Sequence, residues 1–95
     1  MLTYLVERVR PQAFRPEDPE NLAQHCRWAA DGYRDVGAFW LGGVVTADRM
    51  FSLVAVNHED ALHQYRAKLG FPEAETTLRQ VVRMIGPPLA GIVQS

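Results

Sequence analysis

Phe39-Trp-Leu-Gly-Gly-Val-Val-Thr46, Ala47-Asp48, Arg49-Met-Phe-Ser-Leu-Val-Ala-Val56 and Asn57-His-Glu-Asp-Ala-Leu-His-Gln-Tyr-Arg-Ala-Lys-Leu-Gly-Phe-Pro72 follow one another without a break. The first and third runs are rich in β-formers, and the polar pair between them is short enough for a hairpin. A hairpin of this length pairs Val45 with Met50, Val44 with Phe51, Gly43 with Ser52, Gly42 with Leu53 and Trp40 with Ala55. That register places Trp40, Gly42, Val44, Phe51, Leu53 and Ala55 on one face and Leu41, Gly43, Val45, Met50, Ser52 and Val54 on the other. Both faces are apolar. Gly43 opposite Ser52 leaves a shallow hollow walled by Leu41, Val45, Met50 and Val54. A glycine inside a strand marks a bulge, a close helix or the approach of a ligand, and the close helix is the most frequent of these.

The segment after the hairpin has helical spacing. Asn57 is a good N-cap, with Asp60 completing a capping-box pattern. His58, Leu62, Tyr65 and Leu69 then form the buried seam of a helix over 58–69, with His63 off it. Gly70 ends the helix, and Phe71 folds back as the hydrophobic contact of the cap.

Upstream, Leu2 to Arg10 alternates weakly and reads as a strand. Glu7 and Arg8 fall on opposite faces, so one of these charges points inward. Pro11 to Asp18 is a loop anchored by Phe14. Asp18-Pro19 starts a second helix, with Pro19 at the first helical position where its missing donor costs nothing. Leu22, Cys26, Ala29, Tyr33 and Val36 form its seam, and Gly37 supplies a left-handed exit. Downstream, Thr77 to Ile85 is a last strand stopped by Gly86-Pro87-Pro88. The tail, Leu89 to Val93, is apolar enough to pack on the domain or a partner.

The order β-α-β-β-α-β predicts a single α+β domain over residues 1–95 of the ferredoxin-like kind, a four-stranded antiparallel sheet with two helices on one face. The other face needs a cover. A second copy of the sheet supplies one, giving a homodimeric α+β barrel.

Composition narrows the function classes. The formal net charge of −1 carries no footprint for nucleic acid or an anionic membrane. Nine of the ten basic residues are arginine, which a GC-rich genome explains as readily as selection for anion contacts. The single cysteine, Cys26, allows neither an intrachain disulfide nor a cysteine-based zinc site. With no signal peptide and no apolar run long enough to span a bilayer, the expected location is cytoplasmic. Arg49 to Val56 lacks the basic-glycine-aromatic pattern of an RNA-binding sheet, which sets that use of the topology aside.

Trp40-Leu-Gly-Gly-Val-Val-Thr46-Ala-Asp48-Arg49, the Asn57-His58-Glu59-Asp60 helix start, Gly70-Phe71-Pro72 and Val6-Glu7-Arg8 together resemble a family of small bacterial ferredoxin-like proteins of largely unknown function. That family includes dimeric nickel-binding members. The resemblance covers nearly the whole chain, and implies the ferredoxin-like fold, a homodimer and, as one alternative, a nickel site. The departures are chemical. Where the family pattern favours His or Ser near positions 42 and 43, Tyr at 44, Cys at 52, Tyr at 54 and His at 65, this chain has Gly42, Gly43, Val44, Ser52, Val54 and Tyr65. Most of the nitrogen and sulfur that would suit nickel is replaced by small or apolar groups. His58 and His63 stand roughly 140° apart around a helix.

Three functional expectations follow. The first is a pocket for a small organic ligand, lined by Trp40, Gly42, Gly43, Met50 and Leu53, with Glu7, His58 and Tyr65 as catalytic candidates for a cofactor-independent isomerisation or cyclisation. The second is a nickel or other divalent metal site using Glu7, His25 and His58 across a dimer. The third is a non-enzymatic dimeric scaffold. Each residue also has a structural role to fill. Glu7 suits an ion pair with Arg79 or Arg83 on the neighbouring strand, His58 a cap, and Tyr65 and Trp40 the core. His25 and Cys26, adjacent on a helix, make a weak dyad.

Overall fold

A computed structural model describes residues 1–70 and 75–86. The elements run β1 (Leu2–Val9), α1 (Pro19–Asp35), β2 (Phe39–Val45), β3 (Arg49–Val56), α2 (Asp60–Leu69) and β4 (Thr76–Gln80). All strand pairs are antiparallel, and the sheet order is β2-β3-β1-β4. This is the ferredoxin-like β-α-β-β-α-β arrangement. The expected position of Phe71 and the fate of the apolar tail lie outside the described residues. Among the described residues no helix is long and apolar enough to cross a membrane.

The core lies between the sheet and both helices. Tyr4 and Val6 of β1, Val54 and Val56 of β3, Tyr33 of α1 and Leu62 and Tyr65 of α2 form one buried cluster, with Trp40 and Leu78 packed at its edge. Asp18 caps α1 by accepting the backbone N–H of Glu20 at 3.0 Å. Gly37 leaves the helix at φ 78°. Of the expected α1 seam, Ala29 and Tyr33 are buried, Cys26 and Val36 are partly covered, and Leu22 is exposed. Phe14 anchors the long loop as expected, buried at its tip.

The hairpin departs from a plain ladder. Gly42, Gly43, Val44 and Val45 pair with Leu53, Ser52, Phe51 and Met50 as the alternation predicts, but Trp40 pairs with Val54 rather than Ala55. Leu41 is the extra residue of a β-bulge, and Gly42 takes φ 133°, a conformation that side chains oppose. The one-residue slip exchanges two side chains between faces. Trp40 joins the helix side, and Leu41 goes to the open side.

Two element boundaries also shift. The helix α2 starts at Asp60 rather than 58, and Glu59 at its N-cap makes no side-chain bond. The expected Asn57–Asp60 capping box is therefore replaced by His58, whose Nδ1 accepts the Asp60 N–H at 3.2 Å. The last strand ends at Gln80 rather than 85. Its partner explains why: β4 runs antiparallel to β1, Gln80 lies opposite Tyr4, and the Val81 N–H still reaches the Thr3 carbonyl at 2.8 Å. Beyond that point β1 has run out, and Val82 and Ile85 are almost fully exposed.

Candidate functional site

The sheet divides the residues expected to form one pocket. On its helix side, Gly43 faces Ser52, and the hollow expected there is a cavity of about 90 Å³. Trp40, Val45 and Met50 wall it, and Leu22, His25 and Cys26 of α1 roof it with Phe14. Leu41 is replaced in the wall by Trp40, as the bulge requires. His25 and Cys26 both line this cavity although they are sequence neighbours. The His25 ring stacks on Phe14 with centroids 4.2 Å apart and tilts against Trp28 at 5.8 Å. Burial, and secondarily the positive charge of Arg8, lower its pKa from the usual 6.5, which favours the neutral imidazole.

On the open side, Gly42 and Leu53 share a groove of about 240 Å³ with Leu5, Leu41, Val44 and Phe51. A larger hollow of about 610 Å³ shares Leu41 and Leu53 with it and is bounded by Thr3 and the chain from Gln80 to Met84. The two form one concavity over an apolar sheet face. Phe39, Leu41 and Val44 are 55, 56 and 63% exposed on that face, and no described element covers it.

Glu7 belongs to the open side. Its partner is Arg49 rather than Arg79 or Arg83: Arg49 donates to Oε2 from Nε at 3.0 Å, and an Nη lies 2.8 Å from the same oxygen as an ion-pair contact. Register explains the choice. Glu7 lies opposite Phe51 and Val9 opposite Arg49, so the two charges are diagonal neighbours on one face. This partner was hidden because the β1–β3 pairing is not set by a turn. Arg8 points to the helix side, its guanidinium 5.9 Å from the Trp28 ring centroid.

Tyr65 lies beneath α2, away from both hollows. Its ring stacks on Tyr33 with centroids 3.8 Å apart and planes 15° from parallel. Burial raises the pKa of both phenols, with Arg8 opposing the effect, so both hold their protons more tightly than a free phenol. The Tyr65 Oη is buried without a hydrogen-bond partner. The expected placement of His58 on the buried seam is corrected: its side chain is 76% exposed at the start of α2.

Glu7, His58 and Tyr65 are thus three separate positions, on the open face, at a helix end and in the core. The chain does not gather them into one site. Glu7, His25 and His58 are likewise dispersed, and among the described residues no three of His, Cys, Asp and Glu come together to hold a metal. What the fold does gather is Trp40, Gly43 and Met50 on the helix side and Gly42 and Leu53 on the open side. No family model, curated protein or solved structure matches the chain.

Proposed function

We propose that the protein is a homodimeric binder of a small, largely apolar organic molecule, with the two open sheet faces opposed and the ligand held between them. The observation that carries this reading is the uncovered apolar face at Phe39, Leu41 and Val44, hollowed over Leu41 and Leu53. Large exposed side chains clustered on one sheet face are the usual mark of a surface that becomes buried in an assembly. Two such faces packed together form a sandwich, and the concavity of each becomes part of an enclosed chamber. The volume suits a ligand of drug-like size or smaller.

The chemistry on offer there is limited. Glu7 brings a carboxylate to the same face, with both Arg49 contacts on Oε2, so a proton transfer of the kind used in cofactor-independent isomerisation is the reaction class this reading allows. Tyr65 and His58 take no part in it.

Native mass spectrometry of the purified chain, with and without nickel, tests the reading. The expected result is a dimer that releases an organic mass on denaturation, and a Leu41→Glu variant that remains folded but monomeric. A monomer at tens of micromolar would overturn the assembly and with it the chamber. Stoichiometric nickel would move the function to a metal site built across two chains. A bare dimer that takes up no apolar ligand would leave only the scaffold.

A further inference from the structure

The cavity of about 90 Å³ on the helix side lies across the sheet from the open-face groove. Trp40 is one of its walls, and the indole Nε1–H of Trp40 is buried with no hydrogen-bond partner. Trp40 borders neither of the open-side hollows. Leu22 is 39% exposed and Cys26 is only partly covered, and both belong to the lining, so the cavity is within reach of solvent along α1.

A buried N–H without an acceptor is costly, and an occupant that accepts from it is favoured. The lining selects its type. An indole only donates, so the occupant has to bring an acceptor. None of the described lining residues is an arginine, lysine, aspartate or glutamate, and burial favours the neutral form of His25. A charged occupant would therefore give up its hydration without an opposite charge in return. Leu22, Val45 and Met50 present carbon to the space, which leaves a cluster of waters short of the several polar partners that each one needs. A carbonyl group on a short aliphatic body meets both demands: its oxygen accepts, it has no proton of its own to place, and its carbon packs on carbon. An apolar cavity of roughly 150 Å³ admits benzene, so this one admits about four or five non-hydrogen atoms.

We propose that this cavity binds an aliphatic carbonyl group, either a short ketone or the carbonyl end of a longer chain, through a hydrogen bond from Trp40 Nε1. The site is separate from the open face and does not depend on the dimer.

The test is a titration of the full chain with butanone and with octanone, following the Trp40 indole N–H by two-dimensional NMR and assigning it by its absence in Trp40→Phe. The alkene in which a CH₂ group replaces the carbonyl oxygen of butanone serves as the control of equal shape. A saturable downfield shift with ketone is expected, with the alkene binding about tenfold more weakly, the loss of one hydrogen bond. Trp40→Phe binds ketone and alkene alike, Cys26→Leu fills the cavity and takes up neither, and Leu41→Glu on the open face keeps the shift. Saturation by butanone identifies a site for a small molecule, and saturation by octanone alone identifies the end of a longer chain. Thermal melts report whether each variant is folded. A shift that is absent or rises linearly with ketone would mean that the cavity holds only water. That result, a preference for ketone that survives in folded Trp40→Phe, or a shift lost in folded Leu41→Glu would overturn the proposal.

Discussion

Arg49 approaches Glu7 diagonally across β1 and β3, with a hydrogen bond from Nε at 3.0 Å and an ion-pair contact from an Nη at 2.8 Å on one carboxylate oxygen. Both side chains are about a third exposed, so solvent screens the pair and its worth is that of a favourable surface bridge, ~1 kcal/mol or less. A double-mutant cycle of Glu7→Gln and Arg49→Met in urea is expected to give a coupling of that size that shrinks in high salt. If the open face is covered in a dimer, the coupling grows with protein concentration.

Gly43 faces a backbone, which sets it apart from its neighbour. A Cβ there would collide with the carbonyl oxygen of Phe51, and backbone has nowhere to move. Gly43→Ala is expected to cost about 1–3 kcal/mol, the range for overpacking, and to widen the hairpin at the Ser52 cavity. Gly42→Ala meets open space instead, so its cost comes from the φ of 133° alone, roughly 1–2 kcal/mol. Urea midpoints of the two variants, with amide exchange along β3, separate a displaced strand from a strained bulge.

Gly32 lies inside α1, where alanine ordinarily adds about 1 kcal/mol. Here a Cβ would come within 2.9 Å of Cε2 of Tyr65. The ring is held by its stack on Tyr33, so it yields only at the expense of that contact. Gly32→Ala is therefore expected to bring no gain in the wild-type background and to recover the helix-propensity gain in Tyr65→Leu, a non-additivity that thermal or urea unfolding of the four proteins reads directly.

The lowered pKa of His25 makes stability depend on acid. Between the ordinary value of 6.5 and the lower value in the fold, the unfolded chain binds a proton that the folded chain does not. The contribution is complete above pH 6.5 and is lost as the pH falls through the folded pKa. Urea midpoints measured from pH 7.5 down to 5 are expected to decline, and His25→Gln to flatten part of that slope even though it also loses the stack on Phe14. A slope unchanged by the substitution would place the acid sensitivity elsewhere.

The element order was legible because its punctuation is strong. Asp18-Pro19, Gly37, the Ala47-Asp48 turn and Gly70 each act locally, and each falls where it was expected. The bulge at Leu41 was not legible, since alternation assumes one residue per partner and the double glycine admits several readings. That single slip moved Trp40 and Leu41 across the sheet and divided the expected pocket. Glu7's true partner was hidden for a related reason: pairing between β1 and β3 is set by packing over long sequence distance. His58 and Tyr65 share a helical spacing, but the helix begins two residues after His58, and the spacing says nothing of residues outside it.

The bulge has one more effect. In the order β2-β3-β1-β4 the hairpin's first strand is an edge of the sheet, and it carries Phe39, Leu41 and Val44 outward. A flat apolar edge invites open-ended strand addition by other chains. The extra residue at Leu41 and the turned backbone of Gly42 break the regular spacing of the outward N–H and C=O groups midway along that edge. A neighbouring strand pairing along that edge meets a register mismatch at the bulge, which works against growth of a ribbon.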